Sequence, residues 1–359
     1  MKILEKPRTI ISNPDSIFGY FAWPSIARLS DGSLAAVCSG FRIRHVCPFG
    51  KAVISLSHND GKTWTLPTPV IDTPLDDRDS GICVDGERVI LTSFNNTPEF
   101  QAKWAENCIN KGDNGASIHF MKSYFEMYPE DACEKYLGST YRVSHDGGVT
   151  WGEIKRSPVS SPHGPFKAND GKILWVGKLF ENKDVDQGIA LCEMDENEDF
   201  NVKTVLPACA DGFGSIHECE PHAIELPDGK ILVAIRAQRF SEHPIFTVYL
   251  SESTDGGKTF TVPKPLLPEL AGSPPHFVLH SSGALVMTYA CRHGNYGIRA
   301  IISRDGGKTF GEEIKLTENA PSSDLGYPAT VEKLDGSLLT IWYEKEERFA
   351  VIKQMTWQI

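Results

Sequence analysis

The chain has 359 residues, 40% of them hydrophobic and 23% charged, enough apolar material to bury a core of good size. Its formal net charge of −11 gives a field that repels DNA, RNA and anionic membranes, which excludes them as main partners. A local arginine cluster can still bind a small anion against that field.

No apolar run reaches 18 residues, and the opening MKILEKPRTIISNPDS lacks the apolar stretch of a secretory signal. The nine cysteines are scattered and form no CxxC pair, as expected for reduced thiols. The sequence therefore reads as cytoplasmic.

In chain order, two short patterns recur. The first is a small turn pair, usually Asp-Gly, leading into an apolar run. It occurs as SDGSLAAV (30–37), VDGERVIL (84–91), NDGKILWV (169–176), PDGKILVA (227–234), SSGALVMT (281–288) and LDGSLLTI (334–341). Such pairs close tight hairpins because Asp and Gly tolerate the positive φ those turns need. The second pattern is S-x-D-x-G-x-T-(W/F), at Ser144–Trp151, Ser253–Phe260 and Ser303–Phe310. SHNDGKTW (57–64) is a variant with Asn59 in place of Asp. It reads as a structural turn: the acid bonds backbone amides and the closing aromatic packs between sheets.

Six units of about four short strands predict an all-β six-bladed β-propeller, one domain over 1–359. Little chain follows Asp335-Gly336, so a strand at 8–12 is expected to complete the sixth blade. The spacing between successive turns is 50–60 residues except for 85 between the second and third. The surplus places an insertion at 95–139 in blade two. Its stretches 99–110 and 116–136 read as helical. It is expected to be a packed cap, a lid over the functional face, or a dimer contact, with Trp104, His119, Phe120 and Tyr124 its conspicuous side chains.

The turn boxes on a six-fold repeat resemble the sialidase (neuraminidase) superfamily, in its BNR-repeat, sialidase-like branch. The likeness covers nearly the whole chain. The segments YGIRAIISRDGGKTF (296–310) and DLGYPATVEKLDGSLLTIWYE (324–344) carry it most clearly.

Both turn types lie on one face of such a propeller, leaving the other face for function. Innermost strands begin near the axis, so Asp79, His163, Glu220, His222, His276 and Tyr327 should converge there. The neighbouring loops add Arg42, Arg44, His45, Arg236, Arg239, Arg292 and His293. A purely structural channel is an odd place for so many charges.

The resemblance implies roles for part of this set. Sialidases use a tyrosine nucleophile activated by a glutamate, an aspartic acid/base and three arginines that hold the substrate carboxylate. Glu220, in EPHAIELPDG, matches the glutamate, and Tyr327, in GYP, the nucleophile. Arg236 and Arg292 follow their hairpins as two of the arginines do. A phenol spares an anionic substrate the repulsion that a carboxylate nucleophile would impose.

Two departures stand out. Trp23, in FAWPSI, occupies the place of the first arginine, and the loop FRIRHVCPFG (41–50) has no acid. Asp79, Asp77 or a histidine is then expected to move the proton, and Arg44 to replace the missing arginine. Arg78, His45, His163, His222 and His276 complete the expected substrate site.

The expected function is an exo-acting glycoside hydrolase removing a terminal, acidic sugar such as sialic acid from a glycan. Alternatives are a lyase or a histidine-dependent glycosidase on the same propeller, or a carbohydrate-binding protein without catalysis. No cofactor motif is present, and histidine spacing gives no support to a metal site.

Overall fold

The computed structural model describes residues 1–113, 115–127, 130–180, 188–210 and 212–359. Its strands form five hydrogen-bonded sheets in a propeller arrangement. Three sheets have four antiparallel strands in simple sequence order, and one has five. The eight-stranded sheet consists of two antiparallel runs joined at a single parallel pair, Tyr20 beside Ala350. One run begins with the strand Tyr20–Arg28 and the other with Leu325–Glu332.

Each expected turn pair lies between two paired strands. Asp31-Gly32 joins Tyr20–Arg28 to Leu34–Arg42, and Asp335-Gly336 joins Leu325–Glu332 to Leu338–Glu346. The strand Lys2–Ile11 runs antiparallel to Phe349–Gln358, so N-terminal chain completes the last sheet as expected. Inner strands touch in turn around the axis, with Tyr20–Arg28 meeting both Arg78–Asp85 and Leu325–Glu332.

The boxes behave as turns. Asp255 Oδ1 accepts the amides of Lys258 and Thr259, each at 3.0 Å, and Asp305 Oδ1 those of Lys308 and Thr309 at 3.1 and 2.9 Å. Their aromatics fill the seams between sheets. Phe260 packs with Leu174, Val176 and Leu191 on one side and Ala223, Ile231 and Val233 on the other. The stabilising burial is thus spread over several inter-sheet seams.

Helices Pro98–Asn110, Ala116–Glu126 and Glu130–Tyr136 stand between the paired strands Arg88–Asn95 and Gly138–Ser144. Thr97 caps the first by accepting the Phe100 amide, and Pro98 opens it, a position where its missing N–H costs nothing. Ala105, Ile118, Met121 and Phe125 form a small core with Val46 and Cys47. Phe120 stacks on Phe49, with ring centroids 5.6 Å apart. The helices therefore pack on the loop that follows Leu34–Arg42. Residues 114, 128 and 129, inside the expected helical segment, lie outside the described ones. Among the described residues no helix is long and apolar enough to cross a membrane.

Candidate active site

Four inner strands share one local irregularity. Each antiparallel pairing shifts register at its axial end: between Ala22 and Ser25, Arg78 and Gly81, Cys219 and His222, and Gly326 and Ala329. Inside each shift sits one non-glycine residue in the left-handed region: Trp23 (φ 55°), Asp79 (44°), Glu220 (47°) and Tyr327 (51°). A bulge re-aims the side chain it carries, and left-handed backbone at such residues costs about 1–3 kcal/mol each. Three of the four precede proline, in WP, EP and YP, the signal visible in the sequence.

The Tyr327 hydroxyl donates to Glu220 Oε1 at 2.7 Å. Arg236 Nη1 meets the other carboxylate oxygen at 2.5 Å, and Gln238 Oε1 accepts from Arg236 Nη2 at 2.7 Å. Arg292 lies over the Tyr327 ring, 5.4 Å from its centroid, with a buried Nη2 that has no hydrogen-bond partner among the described residues. Burial pushes the Glu220 carboxyl up, but Arg236, the Tyr327 hydroxyl and Arg292 outweigh it, so it stays below its ordinary value. Burial and the charges of Glu220 and Asp79 push the Tyr327 hydroxyl well above its ordinary value. An ionised acceptor thus faces a protonated phenol, the pairing that makes a tyrosine nucleophilic.

Asp79 is almost fully buried, and its Oδ1 has no hydrogen-bond partner among the described residues. Burial, reinforced by the charge of Glu220, pushes its carboxyl up to about 7, against the opposing pull of Arg78, Arg42 and Arg236. The unfolded chain ionises this group near pH ~4. Between there and about 7 the folded state holds the extra proton, so this contribution to stability is lost as pH rises through that window. Asp79→Asn removes the titration. Its thermal stability relative to wild type should therefore climb from acid pH to pH ~8 and level off above, as read by melting curves across pH. A flat difference would show that Asp79 ionises normally.

His163, His222 and His276 pack on one another at the axis, with ring centroids 4.4 to 5.4 Å apart. Backbone amides of Phe277 and Thr330 donate to Nδ1 of His222 and His276 at 2.9 and 3.3 Å. Burial pushes all three imidazoles below their ordinary value, His222 to about 3. Two of the three therefore tie inner strands together. Among the described residues no group of three or more His, Cys, Asp or Glu side chains is arranged to hold a metal ion.

Arg44 departs from expectation. It is ion-paired with Asp113 at 2.7 Å and lies over Trp104, on the helical segment. The strand ends at Arg42 and the chain bends there, which turns Arg44 outward. Arg42 and Arg78 are the guanidinium groups that reach Trp23, at 4.7 and 4.2 Å from its ring centroid. Arg42 is fully buried in a charge pair with Asp76 at 2.6 Å. His45 sits between Tyr20 and Asp324, and Tyr343 also donates to Asp324 at 2.9 Å. Asp324, Tyr20 and Tyr343 had no local sequence signal. A cleft of about 1460 Å³ leads away from Asp79 and Glu220 past Asn95, Ser160 and Phe180.

The radial sheets with their axial tyrosine–glutamate pair define a protein of sialidase-like propeller fold. Solved structures bear this out at the level of fold. A protein of unknown function from Dyadobacter fermentans matches with a TM-score of 0.76 at 19% identity, over 99% of this chain and 98% of that one. A Hadza microbial sialidase matches at 0.67 and 15% identity, over 98% and 68%. The NanB sialidase of Streptococcus pneumoniae, as a point mutant, matches at 0.68 and 13% identity, over 97% and 70%. The chain belongs to the BNR repeat-like domain family, whose model matches residues 124–340. No curated protein sequence matches it.

Proposed function

We propose that the protein is a retaining, exo-acting glycoside hydrolase on a six-bladed propeller, removing a terminal acidic sugar such as sialic acid from a glycan. The six-blade count takes the eight-stranded sheet as two blades joined at Tyr20 and Ala350. The helices at 98–136 are then an insertion in blade two.

The observation that carries the activity is the 2.7 Å hydrogen bond from the Tyr327 hydroxyl to Glu220. Glu220 takes the phenolic proton as the Tyr327 oxygen attacks the anomeric carbon, and the bond to the leaving oxygen breaks. Asp79, holding its proton up to about pH 7, protonates that oxygen. Arg236 and Arg292 supply positive charge beside the tyrosine for a substrate carboxylate. With Trp23 in the axial position of a further arginine, an aromatic face replaces one charge, which suits a sugar that presents an apolar face as well as an acid. The neutral, amide-tied histidines favour a structural part over proton transfer.

The test is turnover of aryl glycosides of sialic acid, related keto-acid sugars, uronic acids and neutral sugars. Hydrolysis of one acidic glycoside, with a glycosyl adduct on Tyr327 detected by mass spectrometry, is expected. Silence across the acidic members would refute the reading.

A further inference from the structure

We infer that the cleft beside Asp79 holds the leaving portion of the substrate and selects a leaving sugar that is itself acidic, its carboxylate on Lys178 and its ring against Phe180. The inference rests on the hydrolase reading above and names the other half of that substrate.

The residues that line the cleft decide which side of the scissile bond it serves. Asp79 and Glu220 line it, whereas Tyr327, Arg236 and Arg292 are not among its described lining residues. The groups assigned to the terminal sugar thus lie outside the cleft, and the acid assigned to the leaving oxygen lies within it. Its volume of about 1460 Å³ exceeds the roughly 300–1,000 Å³ of pockets that bury one small ligand, which leaves room for more than one sugar. It is walled by Asn96 and Phe100 of the inserted segment and by His217 of the strand His217–Glu225.

The strand Ile173–Leu179 brings a cation and an aromatic into this space. Lys178 is paired with Ser160, and the ladder continues beyond the strand, where the Phe180 amide donates to the Pro158 carbonyl at 3.0 Å. Two residues apart on extended backbone, Lys178 and Phe180 face the same side, and both line the cleft. Lys178 Nζ donates to the Glu218 carbonyl at 3.2 Å, two positions before Glu220 on the same strand. That contact holds the ammonium towards the catalytic end. Phe180 meets Phe94, with ring centroids 5.6 Å apart, and keeps 36% of its surface exposed. A Cβ built on Gly138 would lie 3.9 Å from the Phe180 ring and 4.0 Å from Arg156 Nη2, so a second cation adjoins the aromatic. Arg156 Nη1 is fixed by the Glu134 carbonyl at 3.1 Å.

Charge then selects the occupant. Among the described residues lining the cleft the carboxylates are Asp79 and Glu220, both engaged in the chemistry, and the cations are Lys178 and Arg156. Away from the catalytic end the cleft is therefore positive, on a chain whose net charge is −11. A neutral leaving sugar has no use for that charge. A carboxylate does, because attraction across a partly enclosed wall is stronger than in bulk water and an ammonium–carboxylate hydrogen bond is stronger than a neutral one. The exposed phenyl face supplies the apolar contact for the sugar ring. The substrate is then a chain of acidic sugars shortened from its end.

The experiment uses two disaccharides of the acidic sugar that the aryl panel identifies, linked to glucuronic acid in one and to glucose in the other, so that they differ by one carboxylate. Wild-type kcat/KM should favour the glucuronate-linked substrate roughly tenfold, and added salt should shrink that preference. Lys178→Met, which keeps the apolar stem, should abolish the preference by lowering kcat/KM on the glucuronate-linked substrate. Lys178→Arg, which keeps the charge, should retain it, and the salt dependence of wild type serves if Lys178→Met fails to fold. Phe180→Ala should raise KM for both disaccharides severalfold. Absence of a wild-type preference for glucuronate, a preference that survives Lys178→Met, or cleavage of the aryl glycoside with neither disaccharide cleaved would overturn the inference, while an adduct on Tyr327 kept the hydrolase reading. Silence on both disaccharides and on every acidic aryl glycoside would overturn both.

Discussion

Tyr327→Phe is expected to lower turnover on the order of 10³-fold or more while the protein stays folded. The phenyl ring keeps the contacts that place residue 327: Trp23 at 6.4 Å, Tyr343 at 6.0 Å and the Arg292 guanidinium at 5.4 Å. Only the hydroxyl is lost, and with it the donor to Glu220 Oε1. Glu220 keeps Arg236, so its charge remains paired and the stability change should stay within about 1–3 kcal/mol. Glu220→Gln asks the complementary question, leaving the phenol but removing the acceptor for its proton. Parallel collapse in both variants, measured as kcat on the best aryl glycoside, identifies them as one unit. Activity surviving Tyr327→Phe would place the nucleophile elsewhere.

Asp76→Ala should destabilise the protein by about 3–5 kcal/mol, measured by urea denaturation. Its carboxylate faces Arg42 at 2.6 Å, and both side chains are fully buried. The contact is a charge pair whose Asp76 Oδ1 lacks hydrogen-bond geometry, so its energy is mainly Coulombic. The second oxygen accepts the Cys47 amide at 3.1 Å and Gln101 Nε2 at 3.0 Å, joining the loop after Leu34–Arg42 to the first helix. Truncation strands a buried guanidinium and loosens the segment carrying His45. Activity should fall together with stability, because Arg42 and Arg78 also lie over Trp23, whose ring meets that of Tyr327. A stability change within 1 kcal/mol, by the same denaturation, would mean that water reaches Arg42 in the variant.

What could be read from the sequence was what depends on short-range chemistry. Asp-Gly hairpins and boxed turns depend on a few adjacent residues, and every one of them lies where strands meet. The axial positions of Glu220 and Tyr327 were legible because proline follows each and because their surroundings match a family. Arg44 was misplaced for a local reason with no composition signal: the strand stops at Arg42 and the backbone turns. The partners of His45 were invisible because Tyr20 and Asp324 are 304 residues apart in the chain and meet only when the ring closes. Arg42 and Asp76, 34 positions apart, likewise meet only through packing of neighbouring sheets.

The four left-handed bulges at Trp23, Asp79, Glu220 and Tyr327 hold an indole, two carboxylates and a phenol on the same backbone geometry. The scaffold is therefore indifferent to which functional group it displays. Since the conformational penalty is met by the frame at each socket, a change of residue there alters the reagent without requiring a new loop. Chemistry in such a ring can diversify one position at a time, with substrate preference and reaction type changing while the sheets stay as they are.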